Sequence, residues 1–295
     1  MLLLVDFLNV AYRSFHAIRE LKTSDGRPTN AVYGFIQSVR RWNEELKPSH
    51  LAVVMDAETP RRRLQLLADY KANRPPTPEA LISQLKELTH LFPLLGWPVA
   101  YHPEHEADDL AAAIALEAAR EGQEVRIASN DKDFFQILNP RIKVLRSTPK
   151  ETVVVDQDWL REHWGLESCQ VADYLALTGD ASDNIPGVKG VGEKTALALI
   201  KQFGSVDELL RRCSEVEKPR IREQVAASEG CVRRNMELIR LCPVPDLPLF
   251  ENFRLKPPQC QPLLAALAKL ELKSLHARYE KEAQEASDGR QMYLF

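Results

Sequence analysis

Apolar residues recur along this chain in two rhythms. In the first half, short apolar runs alternate with longer stretches in which apolar positions return every three or four residues. Residues 2–5 (LLLV), 51–55 (LAVVM) and 125–129 (VRIAS) are of the first kind, the pattern of a strand buried on both faces. Residues 142–145 and 152–155 are weaker examples. Residues 31–46, 78–95 and 107–121 carry the helical period, the last closed by Gly122. This alternation predicts an α/β fold, a mostly parallel twisted sheet flanked by helices. From Trp159 onward the strand signals fade. Helical periodicity runs through 169–178, 193–203, 206–212, 219–227 and 232–242, which predicts a second, helical lobe. Prolines mark 243–248 and 256–262 as connections, and 263–279 reads as a final amphipathic helix. The expected organisation is an α/β domain over 1–158, a helical lobe over 159–280 and a flexible tail over 281–295.

Three predicted strands run into aspartates: Asp6, Asp56 and Asp131. Ligands of parallel sheets bind beyond the carboxyl ends of the strands, so these acids would meet on one rim. One Asp in such a place ordinarily caps the next helix. Three are harder to dismiss, and more acids accompany them. Glu106, Asp108 and Asp109 open a helix, with Glu106 and Asp109 on one face. Asp133 follows Asp131, and Asp180 and Asp183 open the helical lobe. Nine acids gathered together repel unless cations neutralise them. Hard oxygen donors with few histidines indicate Mg²⁺ or Mn²⁺ rather than zinc. Two such ions ~3.5–4 Å apart are the usual device for activating water and clamping a phosphodiester for in-line attack. His102-x-x-His105-Glu106 has the start of a zinc site, but no Cys or further His stands nearby to complete it, so the histidines read as loop residues.

The balance of 39 basic against 42 acidic residues turns positive once nine acids are assigned to an ion site, so the net charge of −3 does not exclude nucleic acid. Five cysteines, odd in number and without a C-x-x-C pair, argue against a disulfide framework and for a reducing cytoplasm. The run 2–5, ended by Asp6, is too short for a signal peptide, and no stretch is apolar enough to span a bilayer, so no membrane association is expected. Arg61-Arg62-Arg63 and Lys71…Arg74 precede the break Pro75-Pro76-Thr77-Pro78. Most short basic runs are solvated helix faces. Their place between two acid groups makes a cap over the site the functional alternative. Gly187-Val188-Lys189-Gly190-Val191-Gly192 precedes a helix. Its glycines and the helix N-terminus suit a phosphate, although alone such a string is a weak signal.

These residues lie in segments that closely resemble the 5′–3′ exonuclease domain of bacterial DNA polymerase I, within the flap endonuclease family. The resemblance is carried by Val5-Asp6, Ala11-Tyr12-Arg13, Phe15-His16-Ala17, Ala31-Val32-Tyr33-Gly34-Phe35 and Tyr70-Lys71-Ala72-Asn73-Arg74. It continues through Glu106-Ala107-Asp108-Asp109, Asp131-Lys132-Asp133 and the long run from Leu177 to Ala196 that contains Gly179-Asp180-Ala181-Ser182-Asp183-Asn184. It spans Leu2 to about Leu275, nearly the whole chain. The sequence departs from the family at Phe7, where Gly is frequent, and at Arg62 and Leu67, where aromatics are frequent.

The resemblance implies a PIN-like, resolvase-like fold with a helical arch near 60–95 and a helix–hairpin–helix (H3TH) element in the lobe. It implies that Asp6, Asp56, Glu106 and Asp108 hold one ion and Asp131, Asp133, Asp180 and Asp183 a second, with Asp109 beside them. Lys71, Arg74 and Arg63 are the basic residues it assigns to the reaction, and Tyr33, Gly187, Lys189, Gly190, Gly192 and Lys194 those it assigns to DNA, with K⁺ as a further ligand of the hairpin. The implied activity is 5′–3′ exonuclease and 5′-flap endonuclease cleavage, leaving a 3′-hydroxyl and a 5′-phosphate. Its partners would be DNA flaps, nicked or gapped duplex and RNA–DNA primers, in replication and repair. A monomer is expected, standing alone because no residues remain to encode a polymerase. Gln291, Leu294 and Phe295 resemble a peptide that docks into a bacterial sliding clamp. Two other readings stand beside this one, an RNA-cleaving enzyme on a similar fold and a non-catalytic binder of branched DNA. A two-carboxylate phosphatase or glycosidase needs fewer acids than are present.

Overall fold

A computed structural model describes every residue except 58, 60, 149, 150 and 288–295. Strand β1 (Leu2–Asp6) passes directly into α1 (Phe7–Ala17), followed by α2 (Asn30–Leu46), β2 (His50–Met55), α3 (Arg61–Leu66), α4 (Glu79–Leu94), β3 (Val99–Tyr101), α5 (Ala107–Arg120), β4 (Val125–Ala128), β5 (Ile142–Ser147) and β6 (Thr152–Val155). These strands form one sheet in the order β3-β2-β1-β4-β5-β6. All neighbours are parallel except β5 and β6. The chain fills one side of β1 with β2 and β3, then crosses to β4 on the other. The strand order therefore reverses between β1 and β4, the place where open parallel sheets bind their ligands.

Side chains of β1 alternate between two cores. Leu2 and Leu4 join Val125 and Ile127 on one face, while Leu3 and Val5 join Leu51 and Val53 on the other. Both faces are covered, which is why every position of this strand before Asp6 is apolar. The first face carries α5 and the helical lobe: α6 (Gln157–His163), α7 (Val171–Thr178), the two-residue strands β7 (Gly179–Asp180) and β8 (Ile185–Pro186), α8 (Glu193–Phe203), α9 (Val206–Arg211), α10 (Pro219–Ala227) and α11 (Glu229–Ile239). Lobe residues such as Val171, Leu175, Leu199 and Met236 share one continuous core with that face. The second face carries α1, α2, α4 and two C-terminal helices, α12 (Cys260–Lys269) and α13 (Lys273–Ser287).

Four expectations are corrected. Helix α1 and the edge strand β3 carry no signal recognised in the sequence. The C-terminal helices do not extend the lobe: Leu263, Leu267, Leu275 and Tyr279 pack on the sheet's second face. The single helix expected over 263–279 breaks where Glu271 adopts φ +53°, then continues to Ser287, so 281–287 are helical rather than loose. Arg40 fixes α13 by pairing with Glu282 and lying 4.3 Å from the Tyr279 ring centroid. In the region expected as an arch, α4 is a packed layer whose Leu88, Leu91 and Phe92 are buried. Among the described residues of that region, α3 and the turn after it reach the acidic rim, through Arg63, Lys71 and Arg74. Among the described residues, no helix is long and apolar enough to cross a membrane.

Candidate metal centre

Each strand-end acid is held by an amide. Asp6 caps α1, accepting from the Asn9 N–H at 3.2 Å and from the Ser129 hydroxyl at 2.7 Å. Asp56 accepts from the Ala107 N–H, at the start of α5, at 2.9 Å. Asp131 accepts from the Asp133 N–H at 2.9 Å and caps a 3-10 turn, Lys132–Ile137. Asp180 accepts from the N–H and hydroxyl of Ser182 at 2.8 and 2.6 Å. Capping and ion binding are thus not alternatives here. A carboxylate offers about four lone-pair sites, so a capped acid keeps acceptor capacity.

Glu106, Asp108 and Asp109 form the tightest group, with one oxygen from each within 4.8 Å of the others. Glu106 and Asp109 are buried, and so is the cation between them, Arg63, at 3 % exposure. Its Nη1 and Nη2 donate to the two oxygens of Asp109 at 2.8 and 3.1 Å, Nη1 also donates to Glu106, and Nε donates to the Leu238 carbonyl of α11 at 2.9 Å. Asp109 accepts further from the Cys242 N–H at 2.8 Å. Lys71 donates to the other oxygen of Glu106.

The second acid group lies in the β7–β8 hairpin, and the turn after α3 docks on it. The Lys71 N–H donates to the Asp183 carbonyl at 3.0 Å, and the Tyr70 hydroxyl to the Asp183 carboxylate at 3.0 Å. Asn73 reaches the Ala181 carbonyl at 2.6 Å, and Arg74 pairs with Asp183. Asn184 answers with a donor to the Asp69 carbonyl at 2.8 Å. Lys71 has φ +58°, which turns this segment sharply. Lys71 and Arg74 thus link the two groups, one touching Glu106 and the other Asp183.

The acids feel one another. Burial pushes the Asp6 carboxyl up to about 7, partly offset by the Ser129 hydroxyl, with Asp56 and Asp131 adding repulsion. Burial likewise raises Asp131 to about 6, with Asp108, Asp183 and Asp180 repelling it. Asp133 is raised well above the ordinary range by burial and Asp131. Asp56 is raised by burial and by Asp108, and Asp109 is raised to about 6 by burial and Asp108 against the pull of Arg63. Burial also pushes Asp180 upward, but Ser182 and Lys132 outweigh it and hold this acid low. Carboxyls buried on both sides of the strand-order switch and repelling one another are a donor set that divalent cations complete. Hard oxygen ligands fit Mg²⁺ or Mn²⁺.

Other expected residues lie outside this network. Tyr33 is half-buried on α2, and its hydroxyl accepts from Gln37 at 3.2 Å. In the glycine hairpin, Val188 and Val191 are buried anchors, whereas Lys189, Gly190, Gly192 and Lys194 are exposed. Gly190 has φ +81° with open space where a Cβ would sit, so backbone conformation is what requires glycine there. Gly187 is confined, since a Cβ would lie 2.2 Å from the Thr178 carbonyl oxygen. His102 and His105 stack edge to face, centroids 4.7 Å apart, and among the described residues join no tight ligand group. Gln291, Leu294 and Phe295 lie outside the described residues. Ser129 was missed in the sequence: its hydroxyl donates to Asp6 and accepts from the Asp131 N–H at 3.1 Å, joining the acids of β1 and β4. Asn9 and Asn130 lock the same junction, side chain to N–H, at 2.9 Å. The only signal was their position, a polar pair between a strand and its acid.

Fold and acid rim together define a resolvase-like nuclease. Residues 1–165 match the family described as 5′–3′ exonuclease, N-terminal resolvase-like domain, and residues 166–261 match 5′–3′ exonuclease, C-terminal SAM fold. A 5′–3′ exonuclease of Aquifex aeolicus is 34% identical over 287 residues, covering 97% of both chains. The thermostable DNA polymerase I of Thermus aquaticus is 43% identical over 274 residues, 92% of this chain and 32% of that one. The chain therefore spans about a third of the Thermus polymerases it matches. A structure of divalent metal ions (zinc) bound to T5 5′-exonuclease shares the fold with a TM-score of 0.70, at 23% identity over 96% of this chain and 98% of that one. The chain belongs to the 5′–3′ exonuclease family.

Proposed function

We propose that this protein is a metal-dependent, structure-selective 5′ nuclease that hydrolyses DNA phosphodiesters as a 5′–3′ exonuclease and 5′-flap endonuclease. The observation that carries this reading is the docking of the Lys71–Arg74 segment between two acid groups at the strand-order switch. In this reading Asp6, Asp56, Glu106 and Asp108 hold one divalent ion and Asp131, Asp133, Asp180 and Asp183 a second. Bound there, such ions supply water activation and charge neutralisation at the phosphate. Asp109 and Arg63 differ from the rest. Their polar atoms are committed to each other, to Glu106, to Leu238 of α11 and to the Cys242 N–H beyond it, with Arg63 also 3.5 Å from Asp108, so we assign them to positioning rather than to contact with substrate. Lys71 and Arg74 are the donors for the scissile phosphate, and losing one such donor costs about 10²–10³ in rate.

Duplex DNA would be gripped through its backbone by the exposed Lys189–Lys194 hairpin, where K⁺ is a further expected ligand, and such contacts position without reading sequence. Primer removal in replication, repair, action as a monomer in the cytoplasm and a clamp-docking tail at Gln291, Leu294 and Phe295 belong to the same proposal. Asp131→Ala and Asp56→Ala should abolish cleavage of a labelled 5′-flap substrate while flap binding in EDTA stays within about twofold, because backbone contacts lie elsewhere. Cleavage at the wild-type rate in either variant would overturn the reading, and preference for single-stranded RNA would move it to the RNA-cleaving class.

A further inference from the structure

The acids of the centre sit on two parts of the fold, and something must set the distance between them. Helix α11 touches both. At its C-terminal end, the Leu238 carbonyl accepts from Arg63 Nε, and Cys242 just beyond donates its N–H to Asp109. These contacts fix the Glu106–Asp109 side. One turn earlier stands Asn235, fully buried at 0 % exposure. Its side-chain amide donates to the Ala176 carbonyl of α7 at 3.0 Å and to the Pro186 carbonyl of β8 at 2.7 Å. Those carbonyls flank the hairpin that carries Asp180 and Asp183. Pro186 pairs with Gly179 in that hairpin, and a Cβ on Gly179 would lie 2.4 Å from backbone atoms of Ile185 and Gly187, so it is packed without slack.

We infer that α11 is a strut between the two acid groups and that Asn235 is a positioning residue for the hairpin acids. Among the described residues, the hydrogen-bond partners of the Asn235 side chain are Ala176, Pro186 and Cys231, none of them an acid of the centre. It has two donors for two carbonyls on either side of the hairpin, so its loss lets the hairpin shift relative to α7 while Arg63 still holds Glu106 and Asp109. The effect should therefore fall on one side of the centre. This inference rests on the proposed ion-binding roles of those acids.

The test is direct Mn²⁺ binding by the full chain, followed by electron paramagnetic resonance. Asn235→Leu keeps volume and removes both donors. It should weaken the hairpin-side ion about tenfold, the lower end of what loss of an outer supporting contact costs. The tighter ion and flap binding in EDTA should stay at wild-type strength. Asn235→Ser keeps a donor and should recover most of the affinity. A folded Leu variant whose Mn²⁺ isotherm superposes on wild type overturns the inference. If the Leu variant does not fold, Asn235→Ala is measured in its place, and an unchanged isotherm there overturns it equally. Failure of the ion-binding reading looks different: Asp183→Ala would then leave the isotherm as in wild type.

Discussion

Removing divalent ions should expose the cost of burying these acids beside one another, and the size of the effect follows from Asp6, whose shift is due first to burial and then to its acidic neighbours. Its carboxyl is raised from an ordinary 3.8 to about 7 in the folded protein. The folded state therefore holds a proton that the unfolded state releases first. Stability is full below about pH 4 and is lost as pH rises through about 7. Each tenfold change in proton affinity is worth about 1.36 kcal/mol, so that loss is about 4 kcal/mol for Asp6. Asp131, raised to about 6, would add about 3 kcal/mol by the same arithmetic. The two repel each other, so their sum is an upper bound. Bound ions reverse the trend, because they favour the ionised carboxylates and stabilise the fold by about 2.7 kcal/mol at a hundredfold excess over Kd. Urea unfolding, read by the fluorescence of the four tryptophans, would measure this in EDTA and in Mg²⁺ across the acid-to-neutral range. Asp6→Asn cannot ionise and should flatten the EDTA profile by its share. Equal slopes in wild type and Asp6→Asn, or a slope indifferent to Mg²⁺, would refute the reasoning.

Arg63→Met leaves Asp109 buried without its cation and Glu106 with Lys71 alone, which should cost about 3–5 kcal/mol in metal-free unfolding; a loss confined to cleavage rate with unchanged stability would instead return Arg63 to the reaction. Gly179→Ala should cost more than about 2 kcal/mol of stability, read as a lower melting temperature, because Gly179 combines φ +71° with neighbours that leave no room for a methyl group. Flap binding should fall steeply with salt for wild type and more shallowly for Lys189→Ala, the log–log slope changing by about one if Lys189 meets a phosphate. Deleting residues 291–295 should abolish association with a sliding clamp in a pull-down while leaving cleavage of free flaps unchanged.

Much of the sheet was readable because β1 and β2 are buried on both faces and so write apolar runs, and β4 does so but for Arg126. Strand β3 escaped notice because two of its three residues, Val99 and Tyr101, point partly to solvent at the edge. Helix α1 was hidden by economy, since Asp6 ends the strand and caps the helix with no turn residue between them. Asp6, Asp56 and Asp131 stood out by their places at strand ends, and the remaining acids by their clustering at a helix start and at the opening of the lobe. Their supporting contacts were not, because Ser129, Asn130 and Asn235 gain meaning only from partners far along the chain. Arg63 was singled out from its run of three only through the family resemblance, and the pattern gave no sign that it is buried while Arg61 and Arg62 are exposed.

Helices α12 and α13 return to the sheet's second face after the chain has completed the helical lobe on the first. The lobe is therefore spliced into the α/β unit and moored at two crossings, one after β6 and one before α12. A body moored twice, and sharing one continuous core with the sheet, cannot swing out like a door on a single pin. The height of the Asp180–Asp183 hairpin over the rim is thereby set by packing rather than by a hinge.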